Sequence, residues 1–274
     1  NNRYGDTCTA AINQAREQKL NIHSGKPDPD FYYGDAVELT LKELRTNIES
    51  YNGMKVAFNG VITANSGTQG VYVEDFDAET GLYYGMYIYY GHGLTGAGLD
   101  VLTVGNLARI VGSVQYYEGG GTWQVSDLSY RLMKPNDPGN VQKLSDGHAA
   151  AYVPTDPNTL MNGTVTLEKA DGAAAVPYAA AVMGTSVELQ SLRVKEIYTT
   201  NNEESSSKGA MTLTCEKDGV SITVRTAVLL DENNKLITAD AYEGKTITVK
   251  GIVDFFDGAY QVKVFSAKNI IIED

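Results

Sequence analysis

Five tyrosines, Tyr83, Tyr84, Tyr87, Tyr89 and Tyr90, fall within eight residues, and Tyr72 stands in the extended run before them. A phenol offers a flat ring that stacks on sugars or bases and a hydroxyl that hydrogen-bonds, so such a cluster suits recognition rather than bond-breaking. Strand alternation decides which rings can act together. In GVYVED, Val71 and Val73 point one way and Tyr72 and Glu74 the other. In GMYIYY, Met86 and Ile88 point inward and Tyr87 and Tyr89 outward. Tyr72, Glu74, Tyr87 and Tyr89 are therefore expected on one exposed sheet face, with Tyr116 and Tyr117 in a loop beside it. These six residues are the candidate ligand-binding set. The alternative is that the rings pack against an N-terminal helix or a second folded unit, since tyrosine is also a favoured strand residue.

No comparable set points to catalysis. Gly91–Gly96 spells G-x-G-x-x-G, but a dinucleotide site needs a helix opening there, and the following GAGLDVLTVG reads as glycine-rich and then extended. Asp75, Asp77 and Glu79 hint at a calcium loop, yet Thr80 and Met86 occupy the positions where an EF-hand needs Gly and Glu. The reading preferred for that run is an acidic hairpin turn. His23, His92 and His148 are isolated, and neither H-x-x-x-H nor C-x-x-C nor G-x-S-x-G occurs. No catalytic residue, metal ligand or cofactor is assigned, and the chain is read as a non-enzyme.

The net charge of −12 and pI near 4.7 keep a protein soluble and repel polyanions. Residues 52–133 hold three basic residues, Lys55, Arg109 and Arg131, against seven acidic ones. Nucleic acid, which is gripped through Lys and Arg, is therefore disfavoured; a neutral glycan or a protein partner fits the tyrosines better. No apolar run approaches the roughly 20 residues of a membrane-spanning helix, and Asn1 opens a polar stretch without a signal-peptide pattern. Two cysteines, Cys8 and Cys215, are too few for a disulfide framework, although a bond between them stays open.

The elements that must position the tyrosines are short. Residues 7–20 read as a helix capped by Asp6 or Thr7, followed by an extended connector, KPDPDFYYGD. Residues 40–50 read as a second helix, with Thr40 and Glu43 at capping-box spacing. Strands are expected at 55–63, 70–75, 85–90, 99–104 with 106–114, and 122–128. Five short strands suit a small Greek-key barrel of the OB type better than a sandwich. Residues 134–163 carry four of the seven prolines and read as a connector, with a short strand near Val141–Leu144.

The barrel is expected twice. Gly244, Gly251 and Gly258 follow Gly105, Gly112 and Gly119 by 139 residues, since 244−105, 251−112 and 258−119 agree. Tyr260-Gln261-Val262 then matches Trp123-Gln124-Val125, with Gly120 and Gly121 absorbing the slip. Such self-similarity marks one ancestral unit present in two copies. The second copy supplies a short helix at 177–183, strands at 186–198, 210–215, 221–226, 246–253 and 260–265, and a polar loop at 199–209. It lacks the tyrosine cluster. The expected organisation is an N-terminal extension (1–35), a first barrel (36–133), the connector (134–163) and a second barrel (164–274): mainly β, two tandem OB-like Greek-key barrels with short flanking helices.

KVAFNGVIT, GVYVED and GNLARIVGSV, with GKTITVKGIVDFFDGAYQV in the second copy, resemble the OB-like domains of unknown function that recur in exported Bacteroidetes lipoproteins. That resemblance implies export, a periplasmic or cell-surface location and a lipid anchor ahead of Asn1. It brings no catalytic residues with it.

Overall fold

The computed structural model describes residues 4–18, 35–67, 69–169 and 172–273. Helix α1 (Gly5–Glu17) starts two residues earlier than expected: Tyr4 is the N-cap and makes no side-chain cap bond, while Asp6 sits in the first turn, where its charge favours the helix dipole. None of its residues is buried. Most of the connector expected at 26–35, and His23, lie outside the described residues.

The first barrel opens with β1 (Val37–Glu38) and α2 (Leu41–Thr46). Thr40 accepts from the Glu43 N–H, and the Glu43 carboxylate accepts from the Thr40 N–H, so the capping box forms as its spacing predicts. Leu41 and Leu44 then seat the helix on the barrel. Strands β2 (Lys55–Asn65), β3 (Gly70–Asp77) and β4 (Leu82–Tyr89) form a meander, followed by α3 (Ala97–Val101), β5 (Leu107–Tyr117), β6 (Thr122–Ser126) and β7 (Gln142–Ser145). The sheet closes because β2 also pairs with β5 while β4 meets β6 in parallel at Ile88 and Val125. Val56, Phe58, Ile62, Val71, Val73, Met86, Ile88, Ile110, Val114 and Val125 fill the interior. Residues 99–104 are not a strand. Leu94, Val101 and Leu102 plug the barrel end, and the Asp100 N–H closes a helical turn on the Gly96 carbonyl.

Residues 134–163 are divided between the two units rather than spanning a gap. They give β7 to the first sheet, then β8 (Val153–Pro154) and α4 (Pro157–Asn162) to the second. An antiparallel hairpin, β9 (Thr164–Lys169) and β10 (Gly172–Pro177), and the short α5 (Tyr178–Ala181) follow. The second barrel is β11 (Ser186–Thr199), β12 (Met211–Lys217), β13 (Val220–Thr226), β14 (Thr246–Phe256) and β15 (Ala259–Val264), with β16 (Ile270–Glu273) along β14. It closes in the same way, through β11 with β14 and β13 with β15.

The copies agree bond by bond. Gly53 donates to the Val114 carbonyl and Gly184 to that of Val253; Val114 donates to Met54 and Val253 to Thr185. Val56 faces Gly112 as Val187 faces Gly251. The first strands are 131 apart (184−53 and 187−56) and the fourth strands 139 apart (253−114 and 251−112). α4 is the counterpart of α2, since each follows a short strand that pairs in parallel with the first strand of its barrel, and β9–β10 is an insertion in the second copy. This hairpin does not cover its own barrel: Leu167, Val165 and Val176 pack into the core of the first. The two units are thus joined by a shared apolar layer.

An interbarrel cleft as the candidate functional site

The alternation expected for β3 and β4 holds. Val71, Val73, Met86 and Ile88 face the barrel interior, and Tyr72, Glu74, Tyr87 and Tyr89 take the opposite face. That face is not open to solvent along its length. Tyr72 is 4% and Glu74 2% exposed, which corrects their expected exposure. Periodicity assigns a side to each residue, but the second barrel, which covers that side, is more than a hundred residues away in sequence.

Glu74 is held by the second unit. Its carboxylate accepts from the Ser186 N–H at 2.7 Å, the Ser186 hydroxyl at 2.9 Å and the Ala151 N–H at 2.8 Å. Burial nonetheless raises its pKa, because desolvation of the charge outweighs those donors. Beside it the two backbones touch: a Cβ on Gly85 would lie 2.3 Å from the Gly184 carbonyl carbon. Gly184 has φ +84°, so this contact needs a residue free of a side chain twice over. Glu74 is therefore a clasp between units rather than a ligand-facing group.

Tyr72 forms the floor of a cleft between the barrels. Its ring lies 5.0 Å from Tyr87 and 5.8 Å from Phe265, and its hydroxyl donates to Asp254 at 3.3 Å. Burial, with Asp254 nearby, raises the Tyr72 pKa well above the usual phenol value. Tyr87 and Tyr89 are half-exposed. Tyr87 crosses Gly70 so closely that a Cβ there would meet its hydroxyl at 2.0 Å. Tyr89 donates to the Gln69 side chain at 3.3 Å. Tyr117, exposed, stands at the rim over Gly119 and Gly120. Tyr116, also exposed, packs on Trp123 at 5.1 Å and stays outside the cleft lining. The cleft holds about 820 Å³, in the range of ligand sites.

In OB barrels, ligands lie on the second and third strands, between the loop joining strands one and two and the loop joining four and five. Here those are β3 and β4, the loop with Ser66 and Gly67, and the turn with Gly119 and Gly120, all of which line the cleft. The opposite wall was missed by sequence reasoning. It comprises Phe255, Phe256 and Phe265 with Arg225, Asp254 and Lys263. One signal was available: Phe255 and Phe256 lie 139 residues after Tyr116 and Tyr117, so both copies carry an aromatic pair before the same turn.

The charges on this wall are arranged. Asp254 accepts from Gln261 at 2.9 Å and pairs with Lys263 at 3.0 Å, so these two charges neutralise each other. Arg45 of α2 reaches under the second unit towards the Ala180 carbonyl, 3.5 Å away, and its desolvated guanidinium has its pKa lowered to about 10.

The remaining motifs are structural. A short helix, α3, does follow G-x-G-x-x-G, but it is a single turn of five residues, and Leu94 inside the motif is buried in the barrel core. Asp77 accepts from the Thr80 N–H and hydroxyl and pairs with Lys42, an acidic turn tied down by its own chain. His92 contacts Gln69 and His148 contacts Ser145. Among the described residues no cluster of His, Cys, Asp and Glu could hold a metal ion, and no helix is long and apolar enough to cross a membrane. Cys8 is exposed and Cys215 buried, both as free thiols.

Neither a family model nor a curated protein matches the chain. Among solved structures it is similar to a murine DNA-binding protein bound to double-stranded DNA, at 10% identity and TM-score 0.31, over 79% of this chain and 92% of that one. It is also similar to the tetrameric p202 HIN2, at 9% identity and TM-score 0.31, over 80% and 93%.

Proposed function

We propose that the chain is a non-catalytic, extracytoplasmic binding module whose interbarrel cleft takes a glycan. One observation carries this reading: Tyr72, Tyr87, Tyr89 and Tyr117, the side and loops that OB barrels use for ligands, face a second aromatic wall across about 820 Å³. Stacked rings suit the apolar faces of sugars, and Ser66, Thr122, Gln124, Ser206 and Ser207 along the lining suit their hydroxyls. Screening on a glycan array followed by calorimetric titration tests it. Binding is expected to fall at least tenfold in the triple variant Y87A/Y89A/Y117A. Unchanged affinity in that variant rules the cleft out.

A second reading is supported by the burial of Tyr72 and Glu74: a structural envelope module in which this surface serves chiefly to join the barrels. Absence of any glycan binding, with Y87A/Y89A/Y117A destabilised towards separated barrels, favours it. Single-strand nucleic acid ranks third because of the −12 charge, and a gel shift at low salt decides it.

A further inference from the structure

The first-barrel wall of the cleft is aromatic, but the second-barrel wall adds cations, and they are not equivalent. Lys263 is neutralised by Asp254. Arg225 is not: its two terminal nitrogens donate to hydroxyls, to Thr212 Oγ1 at 2.9 Å and Thr200 Oγ1 at 3.1 Å, and it forms no ion pair with a carboxylate of the described residues. Arg225 occupies the place that Tyr89 has in the first copy, since Val224 and Arg225 lie along Val262 and Lys263 as Ile88 lies along Val125. Hydroxyl acceptors fix the plane of a guanidinium without neutralising it. Desolvation lowers the Arg225 pKa, yet an arginine stays cationic near neutral pH, and its planar fork suits a carboxylate.

The cleft has a neighbour. Lys263 and Phe265 line both the main cleft and a second groove of about 380 Å³, which runs past Thr63, Asn65 and Tyr152 to Lys250 and Lys268. Lys250 pairs with Glu188 and lies over the Tyr152 ring at 5.7 Å. Lys268 is exposed and makes no ion pair among the described residues. With aromatic rings in both and a cation outside any ion pair of the described residues in each, Arg225 and Lys268, the two suit sugar rings and an isolated carboxylate.

Resting on the glycan reading above, we propose that the ligand is a mainly neutral oligosaccharide carrying one isolated carboxylate, of the uronate or sialate type, received by Arg225; the net charge of −12 disfavours a polyanionic chain. The probes are an array of paired carboxylated and neutral oligosaccharides, then titration of a singly sialylated oligosaccharide and its methyl ester against the wild type, R225Q and R225K. Bound glycans are expected to be carboxylated, with R225Q weakening them roughly ten- to hundredfold, the range of a charge-assisted hydrogen bond. R225K should restore part of the loss. Melting curves of the variants separate this effect from unfolding. Binding confined to neutral glycans, or carboxylated glycans held equally by R225Q, overturns this inference and leaves the cleft reading standing. Absence of any glycan binding overturns both.

Discussion

The Glu74 carboxylate on the first barrel is gripped twice by Ser186 on the second, through its backbone N–H at 2.7 Å and its hydroxyl at 2.9 Å. Ser186 begins β11, so this bond sets where the second barrel starts relative to the tyrosine face. Glu74→Ala strands two buried N–H groups and a hydroxyl, each unpaired group costing about 1–3 kcal/mol. The expected result is a loss of at least about 2 kcal/mol in urea unfolding, with Glu74→Gln intermediate. Glu74→Ala as stable as wild type would show that the clasp does not hold the barrels.

The same carboxylate gives a pH signature. Its folded pKa lies above the ordinary 4.5, so between 4.5 and that raised value the folded chain binds more protons than the unfolded one. Stability contributed there falls as pH rises through the folded pKa. Asp77, Asp137, Asp146, Glu188 and Glu273 have lowered pKa values and act oppositely, losing their contribution as pH falls through those values. The difference between wild type and Glu74→Gln isolates the first effect: wild type should gain on the variant as pH falls from 7 towards 4.5. A pH-independent difference contradicts the assignment.

Gly85→Ala forces a methyl group into the Gly184 backbone. Overpacking of this kind costs about 1–3 kcal/mol. Because the clash lies between units, the variant should also show a larger radius of gyration in solution scattering, with both barrels folded. An unchanged radius and stability would mean that the glycine contact is slack.

Tyr117→Ala separates recognition from stability. The ring is 54% exposed, so unfolding stability should stay within the small range of surface changes, about 0.5 kcal/mol. Glycan affinity should drop roughly three- to tenfold, in line with about 0.5–1.5 kcal/mol per aromatic contact. Loss of stability without loss of binding would move Tyr117 from the ligand to the fold.

Thiol titration checks the two cysteines. Cys8 is exposed, while burial pushes the Cys215 thiol up to about 12, away from the reactive thiolate. One thiol per chain should react in the native protein and two in denaturant. Two reactive native thiols would place Cys215 at the surface.

Local order was legible in the residues themselves. The Thr40–Glu43 capping box and the inward run of Val71, Val73, Met86 and Ile88 each depend on neighbours a few positions away. So did the duplication, because two copies of one barrel keep the same glycine spacing. The alanine-rich strand at 172–177 escaped notice because alanine has little β-propensity, and α3 because its glycines masked the helical spacing of Leu94, Val101 and Leu102. What the chain could not announce was which surface would meet which. Tyr72 and Glu74 were placed on the correct side of β3, yet whether that side faces water depends on Gly85 meeting Gly184, Ser186 meeting Glu74, and Leu167 entering the other barrel's core. Those contacts join residues far apart in sequence, and no periodicity encodes them. Tertiary packing alone turned an open tyrosine face into a cleft, and brought Arg225 and three phenylalanines to its far wall.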